Sequence, residues 1–174
     1  MAEKSVTAEE LAKKMREVSV AEFFEKNRHL LGYENPSKSL LTIVKELVDN
    51  SLDATNEAGI SPTIKIFVKQ ISEDRFKITG EDNGPGIVEE KLSFAFGKLL
   101  YGSKFHRLRQ SRGTQGIGVS GAILYSQLTT GKPTKISSST GKGIHEIELM
   151  IDVTKNEPKI ISHKEEKNPE KWHG

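Results

Sequence analysis

KELVDNSLDA, residues Lys45 to Ala54, is the stretch from which the rest of the chain is read. Wound as a helix at about 100° per residue, it puts Leu40, Val44, Leu47, Val48, Ser51 and Leu52 on one side and gathers Glu46, Asp49, Asn50 and Asp53 on the other. One face is core and the other acidic. Charge patterning by itself reads the acidic face as a solvated stripe. The chemistry of the side chains offers a second reading: Glu46 and Asn50 are i, i+4 neighbours, so a carboxylate and a neutral amide oxygen project side by side. That pair suits orienting a water and ligating a hard cation.

Two glycine clusters downstream favour the second reading. EDNGPGI, Glu81 to Ile87, follows the alternating run Arg75-Phe76-Lys77-Ile78-Thr79, so it reads as a strand ending in an acid and then a glycine turn. Asp82 there either faces a ligand or simply initiates the turn with Asn83-Gly84-Pro85-Gly86. RGTQGIGVSGA, Arg112 to Ala122, is a glycine-rich loop opening the apolar, helix-compatible run Val119 to Leu128. Uncovered backbone N–H groups at a helix start suit a phosphate chain. The glycine motifs do not follow a βαβ dinucleotide pattern, and no G-x-x-x-x-G-K-[ST] occurs, which excludes the ordinary P-loop.

The order E-x-x-x-N on a helix, D-x-G-x-G after a strand and G-x-x-G-x-G before a helix resembles the ATP-binding domain shared by gyrase, the large heat-shock chaperones, sensor histidine kinases and mismatch-repair ATPases. KELVDNSLDAT, EDNGPGI, FGKLLYGSKF and RGTQGIGVSGAILYSQ are similar, more narrowly, to the B subunits of archaeal DNA topoisomerase VI, over roughly residues 19–174. The resemblance implies an α/β (α+β) two-layer sandwich of the Bergerat type, a mixed and mostly antiparallel sheet covered on one face by helices. It implies ATP and Mg²⁺ as ligands. Glu46 is then the general base, Asn50 the Mg²⁺ ligand, and Asp82 the acceptor for the exocyclic amine of adenine. Ser103 and Lys104 match positions that touch nucleotide, and the backbone of Gly113, Thr114, Gln115, Gly116, Ile117, Gly118, Val119 and Ser120 holds the phosphates. Ser120 stands where the family often has lysine.

For the intact enzyme the resemblance implies an A2B2 heterotetramer with a topoisomerase VI A subunit, and closure of a B-subunit dimer on ATP around duplex DNA. Residues 1–18 are expected to form a strap exchanged between subunits, ahead of an ATP-binding domain over 19–174. The family's pocket-lining threonine and the γ-phosphate lysine of its transducer domain would follow Gly174, so the chain reads as a truncated ATPase domain, weakly active alone. A sensor-kinase catalytic domain and a chaperone-like ATP-dependent clamp are the alternatives.

Composition bounds the rest. At 174 residues and 34% hydrophobic content the chain suits one domain with a substantial core. Lys plus Arg number 26 against 24 for Asp plus Glu, so bulk charge does not announce nucleic acid. The densest positive stretch holds Lys104, His106, Arg107, Arg109 and Arg112, which reads as a solvated lid or as phosphate contact. With no cysteine there is no disulfide, thiol catalysis or cysteine-bound zinc. No apolar run approaches a membrane span and no signal-peptide core opens the chain, so a cytoplasmic location without membrane partners is expected.

Local signals place the elements. Val20 to Leu31 reads as a short helix with Phe23, Phe24, Leu30 and Leu31 in the core, stopped by Gly32. Asn35-Pro36 reads as the N-cap and first turn of the Glu46 helix, and His29 as a structural or surface residue. Thr63 to Gln70 pairs with Arg75 to Thr79 as a hairpin, and a helix starts at Lys91. Lys135 to Ser139, Ile144 to Val153 and Pro158 to Ser162 have strand character, and Lys164 to Lys171 reads as an exposed loop. Tyr33, Tyr101 and Tyr125 are assigned to packing.

Overall fold

The computed structural model describes residues 19–101 and 117–174. Helix α1 (Val20–Asn27) starts on Ser19, whose hydroxyl accepts the Glu22 N–H at 3.2 Å. Only Phe24 of its two phenylalanines is fully buried, while Phe23 and Leu30 are exposed. The expectation that all four large residues here enter the core therefore fails for these two. The helix ends at Asn27, and the chain turns through Arg28–Gly32, so the 3.6-residue spacing does not continue to Leu30.

Helix α2 (Pro36–Glu57) is capped by Asn35, whose side chain accepts the Lys38 N–H at 2.9 Å, with proline in the first turn as its fixed φ favours. Gly32 is held at φ +83, and Thr42 Oγ1 donates to its carbonyl at 2.9 Å, which fixes the approach between the end of α1 and α2.

Strands β1 (Ile64–Ser72) and β2 (Arg75–Asp82) pair antiparallel, with Ile64 opposite Asp82. Asn83 locks the open end of this hairpin by accepting from Thr63 N at 2.7 Å and donating to the Ser61 carbonyl at 3.0 Å. Helix α3 (Glu89–Gly97) follows, and then helix α4 (Gly118–Thr130), which stops at Gly131 in the left-handed conformation. A second antiparallel sheet runs β3 (Thr134–Ser139), β4 (Gly143–Asp152), β5 (Glu157–Lys167), in the order β3-β4-β5. The charged residues Lys164–Lys167, expected in a loop, extend β5. Pairing with β4 satisfies their backbone on one side, and their side chains keep the outer edge polar.

Ile136, Ile147, Leu149 and Ile151 turn one face of the β3-β4-β5 sheet toward the helices, where they meet Phe24, Leu92, Ile123 and Leu124. Full burial of side chains such as Phe24, Leu92, Leu124 and Leu149 is worth roughly 1.5–3 kcal/mol each. Phe24, Tyr33 and Tyr125 form an aromatic stack, with centroids 5.2 and 5.0 Å apart, joining α1 to α4. The architecture is helices on antiparallel sheet, in two sheets rather than one continuous layer. Gly174 lies where they meet: it exchanges backbone hydrogen bonds with Ser139 at 2.9 and 3.1 Å, and a Cβ there would run into the Asp82 carbonyl. Among the described residues no helix is long and apolar enough to cross a membrane.

Candidate functional site

The acidic face of α2 is not a solvated stripe. The side chains of Glu46 and Asp49 are only 18% and 17% exposed, and α4 packs against α2 beside Glu46. The contact is closest at Gly118, the first residue of α4. A Cβ built there would lie 2.5 Å from Glu46 Oε2 and 3.5 Å from Asn50 Nδ2. Glycine is thus what allows the helix start to sit on the carboxylate–amide pair. The N-cap residue Ile117 offers no side-chain hydrogen bond and the first turn holds no acid of its own. The positive end of the α4 dipole therefore faces Glu46 and whatever binds beside it.

Asn50 Nδ2 donates to the Glu46 carbonyl at 2.7 Å, which fixes the amide over the preceding turn. Lys45 reaches Asp49 at 2.7 Å and Glu46 at 3.8 Å. Its ammonium is held above the ordinary lysine range first by that hydrogen bond to Asp49, with the charges of Glu46 and Asp49 adding to it.

One residue beyond Asn50, Ser51 donates to Asp82 Oδ2 at 2.7 Å, while Asp82 Oδ1 accepts from Gly84 N at 2.8 Å. Asp82 is thus both turn initiator and a half-buried acid docked on α2. Ser51 stands five positions after Glu46, about 7.5 Å along the axis, so α2 carries Glu46, Asn50 and the anchor of Asp82 within two turns. The turn after Asp82 is pinned in place. Gly86 sits at φ +72 with its α-carbon against the Ser139 carbonyl, and Ile87 N donates to Ser138 Oγ at 2.8 Å.

Of the remaining residues picked out by sequence, Ile117, Gly118, Val119 and Ser120 form the α4 start. The Ser120 side chain is buried, its hydroxyl 3.4 Å from the Ile117 carbonyl. Ser103, Lys104, Gly113, Thr114, Gln115 and Gly116, the basic stretch up to Arg112 and the 1–18 strap lie outside the described residues. His29 is exposed.

Two contributors escaped the sequence reading. Ser51 counted as part of the apolar face, yet it anchors Asp82. A hydroxyl on a buried face demands a partner, but Thr55 on the same face satisfies the demand within its own helix, through the Ser51 carbonyl at 2.8 Å, so sequence cannot separate the two cases. Tyr33, assigned to packing, does pack, and its hydroxyl is also buried without a hydrogen-bond partner among the described residues. Burial pushes that phenol well above its ordinary range, and the charge of Glu46 adds to the shift.

Residues 35–155 match the family model described as histidine kinase-, DNA gyrase B-, and HSP90-like ATPase. The chain is 57% identical over 155 residues to an Archaeoglobus fulgidus protein named as the B subunit of type 2 DNA topoisomerase 6, a match covering 88% of this chain and 26% of that protein. The protein of the same name from Methanosarcina acetivorans is 57% identical over 156 residues, covering 88% and 25%. That from Pyrococcus horikoshii is 50% identical over 167 residues, covering 96% and 30%. The chain thus spans between a quarter and a third of the length of these relatives. On the matched 35–155 segment, which carries Glu46, Asn50, Asp82 and the α4 start, the chain belongs to the histidine kinase-, DNA gyrase B- and HSP90-like ATPase family.

Proposed function

We propose that the chain is the ATP-binding and ATP-hydrolysing part of a type IIB DNA topoisomerase B subunit. In the complete enzyme, ATP-driven dimerisation gates passage of one duplex through a double-strand break made by an A subunit, which relaxes supercoiled DNA. The reading rests on one observation above all: the bare start of α4 lies directly on the Glu46–Asn50 pair. High identity to proteins named as topoisomerase subunits favours this member of the family over a sensor kinase or a chaperone clamp. The A subunit, the A2B2 assembly, duplex DNA, the self-dimer and a cytoplasmic location belong to the same proposal.

Glu46 acts as general base, orienting a water toward the γ-phosphate and taking its proton. A triphosphate held at the start of α4 would lie beside this carboxylate, because Gly118 brings the helix start against Glu46. Asp82, acceptor-only when ionised, receives a hydrogen bond from the adenine amine, with Ser51 and Gly84 holding it in orientation. Backbone N–H groups from Gly113 to Ser120, with Ser103 and Lys104, take the phosphates.

Asn50 fits Mg²⁺: with Nδ2 committed to the Glu46 carbonyl, its ligating atom is Oδ1, a hard neutral oxygen. Bound there, Mg²⁺ would neutralise charge on the phosphate oxygens.

General-base catalysis is worth about 10²–10⁴-fold. Glu46→Ala, placed in a B subunit of the relatives' full length, is expected to lose turnover by that factor and to keep nucleotide affinity. Steady-state ATPase activity close to that of the unaltered protein would reject the assignment.

A further inference from the structure

At the rim of the helix-covered face of the second sheet, three side chains that the nucleotide site does not use come together. His145 on β4 and His163 on β5 lie diagonally across the strand pair, since His163 is opposite Ile147 and His145 opposite Glu165. The i, i+2 alternation from Ile147, Leu149 and Ile151 turns His145 to the same face, toward the start of α3. Glu89, the first residue of α3, stands over both rings. Its Oε2 is 3.8 Å from His145 Nδ1 and its Oε1 is 3.8 Å from His163 Nε2. One ligand atom from each of the three lies within 4.8 Å of the other two, and the imidazole centroids are 5.8 Å apart.

These distances are too long for hydrogen bonds, and His145 Nδ1 is buried without a hydrogen-bond partner among the described residues. A buried ring nitrogen left that way is costly. Two imidazole nitrogens and a carboxylate around one point have the chemistry of a borderline divalent cation. Bonds of about 2.0–2.1 Å in a tetrahedral shell put ligand atoms roughly 3.3–3.4 Å apart. The two 3.8 Å contacts use different oxygens of Glu89, and with one ligand atom from each residue the separations reach no more than 4.8 Å, so the trio needs to contract by up to about 1.4 Å to take that spacing. Glu89 can supply the carboxylate's share of that movement, being 52% exposed where His145 is 17% and His163 34%. Glu165, the register partner of His145, adds a second carboxylate on this face.

We propose that Glu89, His145 and His163 form a site for one transition-metal dication of the Zn²⁺ class, with solvent completing the shell. The site is separate from the oxygen-only, Mg²⁺-type chemistry of Asn50. It ties the start of α3 to β4 and β5 two residues after Ile87, whose N–H is held by Ser138 on β3.

The test titrates the 174-residue chain, without nucleotide, with Zn²⁺ by calorimetry and with Co²⁺ by visible absorption. One equivalent is expected to bind, with Co²⁺ ligand-field bands typical of nitrogen and oxygen ligands in a four-coordinate site. His163→Ala and Glu89→Gln, both at exposed or half-exposed positions, should each weaken binding at least about tenfold while far-UV circular dichroism stays unchanged. The double variant His29→Ala, His173→Ala should bind as the unaltered chain does. Absence of saturable binding, binding undiminished in His163→Ala, or binding lost in the His29/His173 variant would each overturn the site. Absence of four-coordinate Co²⁺ bands in the unaltered chain overturns the site even if a variant unfolds.

Discussion

Gly118→Ala is the most direct probe of the contact on which the functional reading rests. The new Cβ lies 2.5 Å from Glu46 Oε2, where ordinary van der Waals contact begins near 3.4 Å, so the carboxylate must retreat by about 0.9 Å. Because the obstructing atom is the far end of a flexible side chain, the fold loses little, and alanine is the better helix former by up to about 1 kcal/mol. Catalysis has no such latitude: a base misplaced by about 1 Å costs on the order of 10²-fold. The expectation is a turnover number reduced about 100-fold with a melting temperature unchanged or slightly raised, measured as steady-state ATPase in a full-length subunit alongside thermal denaturation. Gly121→Ala is the matched control. It lies one turn along the same helix, and its Cβ would meet Phe24 at 3.8 Å and Tyr33 at 3.9 Å, both ordinary contacts. Turnover of Gly118→Ala within a factor of two or three of the unaltered protein would refute the argument, as would equal losses in both variants.

Other consequences are equally open to measurement. Gly86→Ala is expected to cost more than about 2 kcal/mol, since it adds left-handed strain at φ +72 to a clash with the Ser139 carbonyl; a melting temperature unmoved by the change would contradict the close packing of this turn on β3. Ser51→Ala removes one of the two donors to Asp82 among the described residues and should cost about 1.5 kcal/mol with weaker ATP binding, both readable by calorimetry. Burial raises the Tyr33 pKa in the folded chain, so above about pH 10 the unfolded chain gives up a proton that the folded one keeps. Stability is then lost as pH rises, by up to about 1.4 kcal/mol per pH unit. Tyr33→Phe should remove this part of the alkaline decline and leave neutral-pH stability equal or slightly higher, checked by urea denaturation from about pH 8 to 11.

Much of this protein was written locally. Asn35-Pro36 announced the start of α2 because capping is a contact between residues three apart, and the alternation of Arg75 to Thr79 announced β2 because pleating has a period of two. Glu46 and Asn50 declared themselves as a pair because a helix makes i, i+4 neighbours adjacent wherever it is placed. The limits of that reading are as physical as its successes. Phe23 and Leu30 look as apolar as Phe24, yet burial depends on where the helix ends and what packs against it. Lys164–Lys167 look like loop, yet an edge strand needs only a neighbour's backbone and tolerates charge.

By itself, then, the order of residues determined the family, the helix bearing the acid and amide, and the glycine turns. Folding in three dimensions decided that α4 starts close enough to Glu46 for a Cβ to press on its carboxylate, that Ser51 holds Asp82, and that Glu89, His145 and His163 meet. The reason is distance along the chain. Contacts within a helical turn or a hairpin are fixed by backbone geometry, whereas residues 46 and 118, or 89 and 163, become neighbours only when whole elements bury their apolar faces against one another.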